Sequence, residues 1–250
     1  MGQITFEPRQ AEMAGAVSNI AAFPGARFGM GYPEAVGDAA HAIWFGAITP
    51  SWSPLDNGCW RAEGRKENEV SYSMTVSPGE DCVTVHYSVR NESKRNWKQS
   101  LAFNCLQCGA VPDVRDHDCV RHWVRANGRF MRLIEAPRVF GPRPAVQLYS
   151  VEGAPAGHDI PFVDGFKSTP ECVLEGWMAI QSRDGRCLVA TVSKPALFLF
   201  QNMEYSCIHS GTGFGPLDPG QSAEGINKCY FVRSSAEEWH ARMLNDLERL

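Results

Sequence analysis

Between Val70 and Val89 the chain alternates apolar and polar residues twice over. Val70, Tyr72, Met74 and Val76 interleave with Ser71, Ser73 and Thr75. After Ser77-Pro78-Gly79-Glu80, Val83, Val85, Tyr87 and Val89 interleave with Thr84, His86, Ser88 and Arg90. Successive side chains of a strand point to opposite faces, so each run has one apolar face, and the Pro-Gly turn folds the two into a hairpin. A lone hairpin is at best marginally stable in water, and its apolar face needs a second layer to cover it. The chain is therefore expected to form an antiparallel β-sandwich.

Further along, the same grammar recurs. Asn91 to Asn96 is a polar turn before a strand carrying Trp97, Leu101 and Phe103. Asn127-Gly128, suited to positive φ, separates Val120–Val124 from Phe130–Leu133. Asp184-Gly185 separates Trp177–Ile180 from Cys187–Val192 in the same way. Ala196 to Phe200 reads as a buried strand, and Leu217-Asp218-Pro219-Gly220 turns into a last strand, Ile226 to Val232. The period then changes. Ser235 and Glu238 make a capping box, and Trp239, Met243, Leu247 and Leu250 recur at helical spacing, which predicts a helix over 235–250. Glu238 and Arg242 are spaced to pair across one turn. The first sixty residues carry less pattern. Ala39 to Thr49 is expected to be a strand, Pro50-Ser51-Trp52-Ser53-Pro54 to break it, and the regular scaffold to begin near Glu69. With no repeat or linker, the expectation is one domain over 1–250.

Composition sets limits on partners. With 24 Lys and Arg against 28 Asp and Glu, the net charge is −4 and no basic stripe stands out, which argues against nucleic acid. No apolar run reaches the roughly 20 residues of a membrane helix, and the opening Met1 to Glu7 lacks signal-peptide order. A cytoplasmic protein without membrane contact is expected. Nine cysteines, an odd number, fit reduced thiols in a reducing compartment. Self-association into a homo-oligomer is compatible with all of this.

Val83 to Ser93 followed by Trp97 resembles a strand-turn of galactose-mutarotase-like proteins. So does Leu217-Asp218-Pro219-Gly220-Gln221-Ser222 leading into Tyr230-Phe231-Val232. The stretch from Cys207-Ile208-His209 to Gly220 is also similar to uncharacterised bacterial proteins with a "CIH…FGxLxPG" pattern. The resemblance covers the last two thirds of the chain. It implies a large β-sandwich of the galactose-mutarotase type, many of which bind or act on sugars. Mutarotases use a His acid and a Glu base, and no full pair aligns in this chain, so the resemblance bears on the fold more than on a reaction.

Four clusters are candidates for chemistry. In Asn202 to Ser210, Tyr205, Cys207 and His209 fall on one face if the segment is extended. Glu204 falls on the other and joins them only where the strand bends. His209 meets a Gly-rich stretch and is the leading acid/base candidate, with His117 the second. Cys105 and Cys108 with His117 and Cys119 offer soft ligands, but the Cys pair would face opposite sides of a strand. No metal is therefore assigned. The stretch Asp113 to Asp118 with Arg121 and His122 sets carboxylates beside cations, and Arg115, Arg121 and His122 are candidate ligand contacts. The loop Gly153 to Glu171 carries His158, Asp159, Asp164 and Lys167, with Phe162 and Phe166 to stack on a sugar or to staple the loop. His158, Asp159 and Glu204 join the ligand-contact set.

The resulting expectation is a carbohydrate-binding or carbohydrate-active protein. An epimerase, mutarotase or lyase reaction would need only an acid and a base and no cofactor. The alternative is a non-catalytic sandwich module, or a subunit of a larger assembly, which predicts an exposed apolar sheet face and no polar pocket. A cupin-like metal barrel lacks its His-x-His pair. No GxSxG, Walker, dinucleotide or HExxH motif is present.

Overall fold

The computed structural model describes residues 2–163 and 166–249. Its strands run in chain order β1 (Thr5–Pro8), β2 (Ala14–Ser18), β3 (Phe28–Asp38), β4 (Ile43–Trp44), β5 (Ser51–Pro54), β6 (Trp60–Lys66), β7 (Val70–Pro78), β8 (Cys82–Asn91) and β9 (Trp97–Gln107). They continue as β10 (His122–Ala126), β11 (Arg129–Arg132), β12 (Val146–Val151), β13 (Ser168–Leu174), β14 (Trp177–Gln181), β15 (Leu188–Lys194), β16 (Ala196–Asn202), β17 (Cys207–Leu217) and β18 (Ser222–Val232). Helix α1 (Ala236–Glu248) closes the chain.

Two sheets form. The first is ordered β1-β2-β3-β9-β17-β16-β12-β13, with β4 on β3; the second is β11-β10-β14-β15-β18-β8-β7-β6-β5. Among the described residues every pairing is antiparallel except β12 with β13. This is the antiparallel sandwich that the alternating runs predict. β7 and β8 pair with Met74 opposite Tyr87, so both apolar rows share one face. All eight of their apolar residues are buried between the sheets, each contributing about 1.5–3 kcal/mol of transfer free energy. The Asn127-Gly128 turn has φ of 50° and 73°, and Gly185 and Gly220 also take positive φ.

Each sheet has a second face, and the two are covered differently. On the second sheet, Trp177, Ala190, Tyr230 and Val232 pack under Ala236, Trp239 and Met243 of α1. The capping box forms as expected, Ser235 Oγ accepting from Glu238 N–H and the Glu238 carboxylate accepting from Ser235 N–H. Glu238 is thus committed to the cap. Arg242 does not pair with it but makes a forked pair with Asp81, at 2.6 and 2.8 Å. On the first sheet, Leu101, Phe103, Leu148, Phe198 and Phe200 are capped by two loop segments, through Ala39 and through Ile160 and Phe162. That cover is incomplete, and the gap is the cavity described below.

The first sixty residues depart most from expectation. They carry β1 to β5, and β3 is one of the longest strands, so the scaffold begins well before Glu69. Ala39 to Thr49 is not a strand. Asp38 accepts a hydrogen bond from Ala40 N–H, turning the chain into a 3-10 turn at Ala39–His41, and only Ile43–Trp44 pairs before Gly46 at φ 88°. Ser51–Pro54, expected to be a break, is an edge strand, where a missing N–H is tolerated. No helix among the described residues is long and apolar enough to cross a membrane.

A candidate acid–base pocket on the outer face of the first sheet

Three adjacent strands, β3, β9 and β17, supply the pocket floor. β17 runs antiparallel to β9 with Ile208 opposite Leu106 and Cys207 opposite Gln107, so His209 stands opposite Cys105. Period two then turns Cys105, Gln107, Cys207 and His209 outward, while Asn104, Leu106 and Ile208 face the second sheet. β3 contributes by being irregular. Gly31 pairs with Cys105 but Ala35 pairs with Phe103, so β3 holds two extra residues between these pairs. A bulge of this kind re-aims a side chain. Here it lays Glu34 back across Gly31, where a Cβ would lie 2.7 Å from Glu34 Cγ and 3.0 Å from its Oε1. Only glycine leaves room for that carboxyl.

As a result Glu34, Cys105 and His209 converge, one donor atom of each lying within 4.8 Å of the others. His209 is buried and stacks flat on Phe103, with centroids 4.8 Å apart. Its Nδ1–H donates to the Phe200 carbonyl at 2.9 Å. That bond fixes the tautomer and leaves Nε2 with a free lone pair. Burial pushes the imidazole down to about 3, so it is neutral near pH 7. Burial also raises Glu34, partly offset by a hydrogen bond with Cys105. Cys105 is raised by a hydrogen bond with Cys207 and then by burial, so it is a thiol, not a reactive thiolate.

The cavity over this floor has a volume of about 760 Å³. Trp44, Phe45, Phe166 and Tyr205 form part of its wall, with Arg115, His117, Asn202, Glu204 and Arg143 among the polar groups. Phe45 and Tyr205 are 62% and 60% exposed, unusual for large aromatics. Arg143 pairs with Glu204 at 2.5 Å and holds that carboxyl below its usual range.

The residues singled out in the sequence separate into groups. His209, His117, Arg115 and Glu204 all line this cavity. Glu204 reaches it because the segment bends: β17 starts only at Cys207, after Ser206 at φ 50°. His117 is exposed, its Nδ1–H donating to the Met203 carbonyl at 2.6 Å. Arg121 is not in the cavity. Its guanidinium donates to the carbonyls of Asp113 and Gln181, pinning the loop. His122 is fully buried, its Nδ1–H donating to Asp116 at 2.7 Å. Desolvation opposes ionisation of Asp116, but bonds from His122 and from Arg121 N–H outweigh it and hold the carboxyl at about 2. Burial keeps His122 itself below its usual value. His158 and Asp159 sit exposed in a 3-10 turn and form only a 3.6 Å pair with each other. Asp164 lies outside the described residues. Phe162 staples its loop by stacking on Phe198 and Trp44.

The soft-ligand set from the sequence does not converge. Cys105 faces the cavity, whereas Cys108 and Cys119 lie in the core between the sheets. None of the nine cysteines is in a disulfide. Glu34 was not legible as a site residue. The available signal is Gly29-Met30-Gly31-Tyr32-Pro33-Glu34, where glycines and a proline inside a strand mark a bulge and close approach.

No protein-family model matches the sequence, and no curated protein matches it. Among solved structures the chain is similar to a galactose mutarotase-like protein from Lactobacillus casei, at 9% identity over 92% of this chain and 100% of that one, with TM-score 0.47. It is also similar to a protein from Synechocystis, at 6% identity over 92% and 96%, with TM-score 0.48. A third is an α-galactosidase from Geobacillus stearothermophilus, at 9% identity over 94% of this chain and 41% of that one, with TM-score 0.44.

Proposed function

We propose that this pocket binds a carbohydrate and that His209 as base and Glu34 as acid move protons on it in a mutarotase or epimerase reaction, the reverse of the His acid and Glu base that the resemblance implies for mutarotases. The observation that carries the reading is a carboxyl and a neutral imidazole set side by side on the floor of a cavity with exposed aromatics at its wall. Exposed Phe45 and Tyr205 suit the apolar face of a sugar ring, and the Arg, Asn and Glu groups suit its hydroxyls. His209 has its Nδ1 proton committed to Phe200, so Nε2 acts first as acceptor.

In a ring-opening step, Nε2 takes the proton of the anomeric hydroxyl while the Glu34 carboxyl gives its proton to the ring oxygen. The C–O ring bond breaks as the carbonyl forms. Reclosure on the other carbonyl face returns both protons. The chemistry needs no net oxidation, and an acid and a base suffice for it.

The test is the rate of anomer interconversion, followed by polarimetry or exchange NMR on a panel of aldoses and uronates, with wild type, Glu34→Gln and His209→Gln. The reading expects one substrate class to be accelerated and each variant to lose about 100-fold or more. A protein that binds a sugar without accelerating it, or variants that keep full rate, would remove the catalytic assignment.

A further inference from the structure

We propose that Glu34, Cys105 and His209 form a site for one soft divalent cation of the zinc class, its fourth position open to the cavity. The inference stands on the geometry of the floor and not on the sugar reading. One oxygen, one sulfur and one nitrogen donor lie within 4.8 Å of one another, from β3, β9 and β17. Donors bound about 2.0–2.3 Å from a tetrahedral ion stand roughly 3.3–3.8 Å apart. Side-chain rotations of about an ångström at most therefore close the set on an ion. Three protein ligands with one open position is the pattern of reactive zinc sites rather than closed structural ones.

A second observation is independent of that clustering. A metal-bound imidazole characteristically donates its other ring N–H to a carboxylate or backbone carbonyl, which fixes tautomer and orientation. His209 already does this, its Nδ1–H on the Phe200 carbonyl at 2.9 Å, with the ring clamped flat against Phe103. The lone pair is oriented before any ion arrives. The sulfur donor selects against magnesium and calcium, which take oxygen ligands.

On binding, Cys105 gives its thiol proton and Glu34 its carboxyl proton to solvent, sulfur–metal and oxygen–metal bonds form, and no electron changes hands. The ion then uses the Nε2 lone pair that proton transfer would use, so an occupied site and the acid–base cycle are alternative states of one pocket.

The experiment titrates reduced full-length protein with Co²⁺ as a spectroscopic probe, then displaces it with Zn²⁺, and quantifies bound metal by elemental analysis. The expected result is one ion per chain, with visible tetrahedral cobalt bands and a thiolate-to-cobalt charge-transfer band. Cys105→Ser should remove the charge-transfer band and weaken binding by at least about 100-fold. Glu34→Gln, an isosteric change at a partly exposed residue, should weaken binding by about 10-fold or more and serves if Cys105→Ser does not fold. Cys207→Ser should keep the band. Sub-stoichiometric uptake, or uptake unaltered by Cys105→Ser and Glu34→Gln, would overturn the site. No sugar enters the titration, so its failure and that of the carbohydrate reading are separate results.

Discussion

His209 and His122 are both buried, and each gives its Nδ1 proton to an oxygen acceptor, yet the two regions around them differ in kind. His209 bonds a backbone carbonyl on the outer face of a sheet, and its imidazole lines a cavity with Glu34 and Cys105. His122 bonds Asp116, and its Nε2 is sealed in without a partner among the described residues. A carboxylate–imidazole pair looks more like catalytic machinery than an imidazole on a carbonyl. The direction of the free nitrogen reverses that ranking. A lone pair does chemistry only where a substrate can reach it, so His122 with Asp116 and Arg121 reads as a knot that ties the loop.

The sharpest way to break this comparison is to mutate both histidines. His209→Gln is expected to cost at least about 100-fold in anomer interconversion, whereas His122→Gln leaves the rate per folded molecule within about twofold. Equal losses would erase the distinction. Next is stability. Asp116→Ala leaves the buried His122 ring N–H and Arg121 N–H without their acceptor and should cost about 2–4 kcal/mol in urea unfolding. An unchanged midpoint would mean that the knot contributes nothing.

Acid should find the knot as well. His122 and His209 both have lowered pKa values when folded, so unfolded chains bind more protons as pH falls below about 6.5, each at up to about 1.4 kcal/mol of lost stability per pH unit. Asp116, held at about 2, adds a loss of the same sign as pH falls below about 3.8 towards 2. Denaturation midpoints across about pH 2–8 check both, and His122→Phe should remove that residue's share of the upper part of the slope. Smaller effects test the pocket's construction. Gly31→Ala puts a methyl where the Glu34 side chain lies, and should cut turnover about tenfold by moving the carboxyl. Phe45→Ala should weaken sugar affinity only a few-fold, about 1 kcal/mol, with no change in thermal midpoint. An affinity loss greater than that for Gly31→Ala would place the main binding contact at the aromatic rim.

Within the sequence, alternation at Val70 to Val89, the Asn-Gly and Asp-Gly turns and the Ser235–Glu238 box determined hairpins, faces and the closing helix. Each depends on residues close in the chain and on side-chain period, and these are properties a sequence carries directly. The same period put Cys207 and His209 on one face and Cys105 and Cys108 on opposite ones, and the structure agrees at each. What the sequence did not carry is which strands are neighbours. His209 meets Cys105 because β17 pairs with β9, more than a hundred positions away, and Glu34 joins because β3 pairs on the far side of β9 with two residues to spare. Register between distant strands is chosen by the packing of the two sheets as a whole. The bend that brings Glu204 to the cavity and the pairing that takes Asp116 and His122 out of reach are decided there too. The sequence offered His209 as acid/base and His122 as a ligand contact; tertiary structure alone set the first in the cavity and sealed the second away.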